Sequence, residues 1–317
     1  MSLYCFNFGI DKNQTMSKKL FIKRHHLIIN KLRSNPCSFK ELQKHLENHS
    51  IDADENYMIS KRTFERDVNE IRDIYKIDIE YVRTINCYVI VHDADEVKND
   101  RLMESFQIFN ALSVSESLSN QIILENRQPL GTENMHGLIH AIKNHFEVHF
   151  THEKYWDEDH EKTKRTVQPL ALKEARNRWY LIAKDTKDNR IKPFGLDRIT
   201  AIDITRKKFV YPTGYNPEEV YRYSFGIITE DNNPPQKIIL SYTYDQGKYI
   251  KSLPLHHSQR ELVDDEKEYR IELLLHPTYD FLMELLSVGK EVKVIEPLSL
   301  QKKIVEMLSA TLKQYSN

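Results

Sequence analysis

Residues 177–185 read NRWYLIAKD and residues 194–199 read FGLDRI. In an extended chain successive side chains point to opposite faces. Arg178 and Tyr180 therefore share one face of a strand, and Trp179 and Leu181 share the other. One pair packs a core while the other faces out. Working outward, FEVHFTHEKY (146–155) alternates apolar and polar residues, and Thr166–Leu172 is a second strand around Pro169. Ile191–Phe194 and ITAIDIT (199–205) complete five predicted strands. Not more than one short helix fits among them, and a small barrel is the economical way to remove the edges of such a sheet.

The amino-terminal part has a helical period instead. Leu20, Ile22, Leu27, Ile28 and Leu32 fit one buried stripe, with Lys18, Lys19, Lys23, Arg24, Lys31 and Arg33 assigned to the solvent face. Ser38 and Glu41 form a capping box that starts a second helix burying Phe39, Leu42 and Leu46. Ser60 caps a third, SKRTFERDVNEIRDIY (60–75), expected to bury Phe64, Val68, Ile71 and Tyr75. Two β-prone runs follow, IDIEYV (77–82) and CYVIV (87–91). Helix, helix, helix, hairpin is the order of a winged helix-turn-helix. The third helix opens on Lys61, Arg62 and Thr63, with Arg66 one turn later. Residues in that place meet base edges and phosphates in helix-turn-helix proteins, although a short basic turn is also a common solvated surface.

Composition and charge narrow the field. The chain has 317 residues, is 40% hydrophobic, and balances 46 Lys and Arg against 47 Asp and Glu. Such a chain builds cores, and it is not a uniformly basic nucleic-acid coat. Glycine occurs only 8 times, without the G-x-G-x-x-G or G-x-x-x-x-G-K of a phosphate loop. No apolar run is long enough for a membrane span. Cys5, Cys37 and Cys87 are odd in number and widely spaced, which fits a reducing cytoplasm. The first 19 residues read as a disordered leader in which Met16 could be the true start. The 14 histidines include the i, i+4 pairs His45/His49 and His136/His140, but neither has the glutamate of H-E-x-x-H. His149, His152 and His160 lack a nucleophile with an orienting partner. No catalytic residue, metal or other cofactor is expected.

The expected organisation is α+β and multidomain. Residues 18–92 form the winged helix, 96–144 a helical connector centred on 101–124, and 145–212 the barrel. A linker, 213–235, contains Pro217, Pro234 and Pro235, and 236–317 alternates strands and helices as a ferredoxin-like unit.

Two resemblances sharpen this outline. Ser60, Thr63, Arg66, Asp67 and Tyr88 match the DeoR-type winged helix, apart from a long connection over 50–59. The triplet Trp179-Tyr180-Leu181 with the following F-x-x-D-R-I resembles the WYL-domain family, an SH3-like or Sm-like barrel. Arg165 stands where that family has a basic residue before V-x-P, while His152 replaces a frequent Tyr and Gly195 a frequent Arg. The likeness continues through Leu255–Gln259 into the carboxy-terminal extension usual in these regulators. It implies that Arg165, Arg178 and Arg198 bind phosphates and that His152 and Tyr180 stack on or hydrogen-bond a base of a nucleotide or oligonucleotide effector. It also implies a homodimeric cytoplasmic repressor on a double-stranded operator. The alternative is an accessory protein of a defence or CRISPR system that binds RNA or single-stranded DNA through the barrel. For Arg198, a purely structural pairing with Asp197 or Asp203 remains open.

Overall fold

The computed structural model describes residues 12–53, 56–93, 130–155, 162–229 and 233–315, with single positions between 99 and 108. The leader 1–11 and most of the expected connector helix 101–124 lie outside the described residues. The chain forms two compact units that meet in sequence at Leu124 and Glu125.

In the first unit α1 (Lys12–Ser34) begins ahead of Met16 and is followed by α2 (Phe39–Ala53), α3 (Lys61–Tyr75) and the antiparallel hairpin β1 (Ile77–Val82) and β2 (Cys87–Asp93). The caps form as the sequence predicts. Ser38 Oγ accepts from the Glu41 amide while Glu41 Oε2 accepts from the Ser38 amide. Ser60 Oγ accepts from the Thr63 amide at 3.2 Å. Ile28, Ile29, Leu32, Leu42, Leu46, Phe64, Ile71 and Ile77 form the core. Burial of each such side chain contributes about 1.5–3 kcal/mol.

Three details differ from the sequence reading. Ile29 rather than Ile22 joins the buried stripe of α1, and Val68 only packs at its margin. Asp67 takes the core place on α3 and is fully buried. Arg24 and Arg33 leave the solvent face: Arg24 grips Asp67 with bonds of 2.7 and 2.8 Å, and Arg33 pairs with Asp93 at 2.5 Å. The long 50–59 connection is pinned where it is described, with the Tyr57 amide on Ser50 Oγ and Gln43 on the Ile59 carbonyl.

The second unit opens with α4 (Met135–Asn144) and five strands, β3 (Phe146–Glu153), β4 (Lys162–Ala175), β5 (Arg178–Asp185), β6 (Ile191–Gly195) and β7 (Ile199–Lys208). They pair antiparallel in the order β6-β5-β4-β3-β7. The two outermost strands are consecutive and joined by one 3-10 turn, Leu196–Arg198, as in an SH3-like barrel. Val148, Phe150, Val167, Leu181, Ala183 and Phe194 fill its interior with Leu138 and Ala141 of α4. Pro169 sits at a register shift of the β4–β5 ladder, where a missing amide is tolerated.

After α5 (Pro217–Tyr221) come β8 (Gln236–Thr243), α6 (Tyr244–Ser252), β9 (Arg260–Asp264), β10 (Glu268–Leu275), α7 (Tyr279–Val288), β11 (Val292–Glu296) and α8 (Leu298–Gln314). The sheet order β11-β8-β10-β9 is that of a ferredoxin-like unit. The sequence reading omits β9, an exposed edge strand whose RELVD is too charged to show an apolar period.

Candidate functional site

The first candidate surface is the amino-terminal turn of α3. Its far side is anchored, because Asp67 holds Arg24 of α1 and lies beside the His25 ring. Burial alone raises the Asp67 carboxyl, yet His25 and Arg24 outweigh burial and hold it below its ordinary value. On the near side Lys61 and Arg62 are exposed, and among the described residues neither has a hydrogen-bond or ion-pair partner. Arg66 is 65% exposed and has only a loose contact with Glu70 at 3.8 Å. Thr63 is less open, since its hydroxyl shares a hydrogen bond of 3.0 Å with Ser60 Oγ. Two free cations and a third loosely held one thus stand at a helix start, where backbone amides also favour anions.

The second candidate surface lies around the turn between β6 and β7. Asp197 Oδ2 accepts from Arg178 at 2.6 Å, and Asp197 Oδ1 lies 3.7 Å from Arg198 Nε. A side chain at Gly195 would strike these groups, because a Cβ there falls 2.5 Å from Asp197 Oδ1 and 2.9 Å from Arg198 Nε. Gly195 pairs with Tyr180 across the ladder, so the cluster stands on the Tyr180 face. The Arg198 guanidinium also lies 5.4 Å from the Tyr155 ring centre. His152 packs edge-on against Phe194, at 5.3 Å between ring centres. Burial, then Arg198 and Arg165, push its imidazole down to about 4, so it is neutral at pH 7. Burial likewise raises the Tyr180 hydroxyl.

Buried polar groups almost always find partners. Here His152 Nε2, Asp197 Oδ1 and Arg198 Nε are all buried without a hydrogen bond. The cluster therefore keeps unfilled hydrogen-bonding capacity.

The family model of the WYL domain matches residues 133–204, and that of the WCX domain matches residues 234–312. The chain contains a WYL domain followed by a WCX domain. No curated protein matches its sequence. Among solved structures it is similar to proteasome accessory factor B/C (PafBC) of Arthrobacter aurescens, at 19% identity and a TM-score of 0.32, over 94% of this chain and 46% of that one. It is also similar to a CRISPR Cas-related protein, at 11% identity and a TM-score of 0.39, over 81% of this chain and 74% of that one. Neither likeness reaches the level at which shared function follows, and this chain spans less than half of the PafBC chain.

Within the WYL domain the triplet divides as strand alternation requires. Leu181 is fully buried and Trp179 packs against the barrel core, while Tyr180 belongs to the polar cluster. The five predicted ligand residues do not all converge. Arg178, Tyr180 and Arg198 gather around Asp197, with His152 nearby. Arg165 is near enough to His152 to lower its imidazole, but on the interior face it is bound to Asp185 at 3.2 Å, an acid that also holds Lys192 at 3.1 Å. Arg165 also lines an open cavity of about 380 Å³ with His149, Thr151 and Lys164. Sequence reasoning missed Asp185 and Tyr155. Asp185 has the parity of Trp179 and Leu181, so a buried charge on that face was a usable signal; nothing marked Tyr155.

Proposed function

We propose that this WYL-domain protein is a DNA-binding transcription regulator, a repressor, that works in the cytoplasm as a homodimer. Residues 18–92 are its winged helix, which reads a double-stranded operator. Lys61, Arg62, Thr63 and Arg66 enter the major groove, and the arginines reach guanine edges or phosphates. The barrel, 145–212, senses a nucleotide or short oligonucleotide through His152, Arg178, Tyr180 and Arg198, with Arg165 at the interior margin. Residues 236–317 carry the dimer contact. Effector binding then shifts the population of dimer geometries and with it the half-site spacing.

The observation that carries the DNA reading is the unpartnered pair Lys61 and Arg62 on a helix whose opposite side is locked to α1. The unsatisfied atoms of His152, Asp197 and Arg198 support the effector site. Support for the dimer comes from α8, where Val305, Leu308 and Leu312 are 60%, 48% and 66% exposed at helical spacing. Val305 and Leu308 border an apolar groove of about 270 Å³ also lined by Leu286, Val292 and Ile304.

The test is to sequence the DNA that co-purifies and titrate the recovered site by fluorescence anisotropy. Arg62→Ala and Arg66→Ala should weaken duplex binding and keep single-strand binding. Unchanged duplex affinity and salt slope in both variants rules the proposal out and favours single-strand or RNA binding through the barrel. Light scattering at micromolar concentration should return twice the chain mass of 37.7 kDa.

A further inference from the structure

His25 is a histidine on the apolar side of α1, fully buried, and neither ring nitrogen has a hydrogen-bond partner. Its ring is held between Phe21, at 4.0 Å between centres, and Tyr75, at 6.0 Å. Nε2 faces two carboxylate oxygens of α3, Asp67 Oδ1 at 3.6 Å and Glu70 Oε2 at 3.7 Å. Asp67 is fully buried and the Glu70 side chain is 35% exposed. Glu70 Oε2 itself is a buried oxygen without a hydrogen bond.

These separations exceed a hydrogen bond, which spans about 2.7–3.2 Å. They match something else. Nitrogen and oxygen ligands sit about 2.0–2.2 Å from zinc, so neighbouring donors in a tetrahedron stand about 3.3–3.6 Å apart. One observed edge, 3.6 Å, lies at the top of that interval and the other, 3.7 Å, just above it, and all three donor atoms fall within 4.8 Å of one another. Among the described residues this is the one group of three ligand-bearing side chains so disposed. Both carboxylates are steered by arginines. Arg24 donates to Asp67 Oδ2 at 2.7 Å and to Oδ1 at 2.8 Å, and Arg66 lies 3.8 Å from Glu70 Oε1. Oδ1 has lone pairs for both Arg24 and an ion, and hydrogen-bonded carboxylates are the usual outer shell of a metal site.

We propose that His25, Asp67 and Glu70 supply three ligands to one first-row divalent cation, zinc by the donor set. The ion would tie α1 to α3, and the proposal does not depend on what α3 contacts.

The experiment titrates the full-length, metal-stripped protein with cobalt(II), followed by zinc(II). One equivalent of cobalt should give a visible absorption band of tetrahedral intensity that zinc abolishes. Glu70→Gln, which keeps the side-chain volume at a partly exposed position, should weaken binding by more than about 100-fold. His49→Gln, on the separate histidine pair of α2, should leave it unchanged. In the wild type, cobalt should also shift the His25 ring protons by NMR, which reads the site even if Glu70→Gln does not fold. No stoichiometric cobalt band, a band that survives in Glu70→Gln, or a His25 ring unmoved by cobalt overturns the proposal.

Discussion

The tip of α3 and the Asp197 cluster are both cationic, and they are built in opposite ways. At the α3 tip the cations Lys61 and Arg62 are exposed and unpartnered, while one acid of the helix, Asp67, is turned into the core. In the barrel Arg178 is already paired with Asp197, and three polar atoms are buried without hydrogen bonds. Exposed cations act at long range, lose their counter-ions to a phosphate backbone, and are screened by salt. A desolvated cluster works at contact distance and rewards a ligand that completes its hydrogen bonds. The first arrangement suits a polyanion of any length, and the second a small polar group of defined shape.

The largest expected effect tests the lock behind the α3 tip. Asp67→Ala leaves Arg24 buried without its partner, a change that costs about 3–5 kcal/mol. Both tryptophans, Trp156 and Trp179, fall in the second unit, so fluorescence follows that unit while circular dichroism follows both. The dichroism transition should move to lower urea and the fluorescence transition should stay. If both move together, the units do not unfold independently. Next in size, Arg62→Ala should weaken operator binding by about 1–3 kcal/mol and lower the salt slope by about 1 if the lost contact is a phosphate. Its thermal midpoint should not change, because the exposed side chain stabilises nothing. A lower midpoint would erase the contrast between the two surfaces.

Gly195→Ala presses on the barrel cluster. The new methyl lies 2.5 Å from Asp197 Oδ1 and must push the Asp197–Arg198 pair aside. Overpacking of this kind costs about 1–3 kcal/mol. Here the fluorescence transition should shift, and operator affinity measured without effector should not. An unchanged fluorescence transition would mean that the two side chains move away freely and the cluster is not preorganised.

How much of this is legible in the sequence follows from the range of the interactions. The caps at Ser38 and Ser60, the alternation of Arg178–Leu181 and the ferredoxin-like alternation after residue 236 depend on neighbours within a few residues, and they are read correctly. Charge partners depend on tertiary contact and are not. Arg24 and Asp67 are 43 positions apart, and Arg165 and Asp185 are 20 apart. Both arginines therefore look like free surface cations until the elements pack. His25 escapes notice for the same reason: it has no ligand-bearing neighbour at i+3 or i+4, and its two acids arrive from another helix. The edge strand β9 is missed because one exposed, charged strand leaves no periodic trace.

The smallest effect concerns pH, and its sign separates a dry cluster from a wet one. Burial first, then Arg198 and Arg165, take His152 down to about 4, and burial, then His257, do the same to His256. An unfolded histidine titrates near about 6.5. Below that pH the unfolded chain takes up protons that the folded chain refuses. Stability must therefore fall as pH drops from about 6.5, and the loss levels off near the folded value of about 4. Both rings are only partly buried, so screening limits the loss to about 1 kcal/mol each, or about 3 °C in the midpoint of the second unit. His152→Gln should remove its share of that slope between pH 7 and 5, as read by tryptophan fluorescence on heating. A variant with the wild-type slope would show that His152 already takes a proton in the folded state. The ring would then be a third cation beside Arg198 and Arg165 rather than the neutral hydrogen-bonding partner that distinguishes this cluster from the α3 tip.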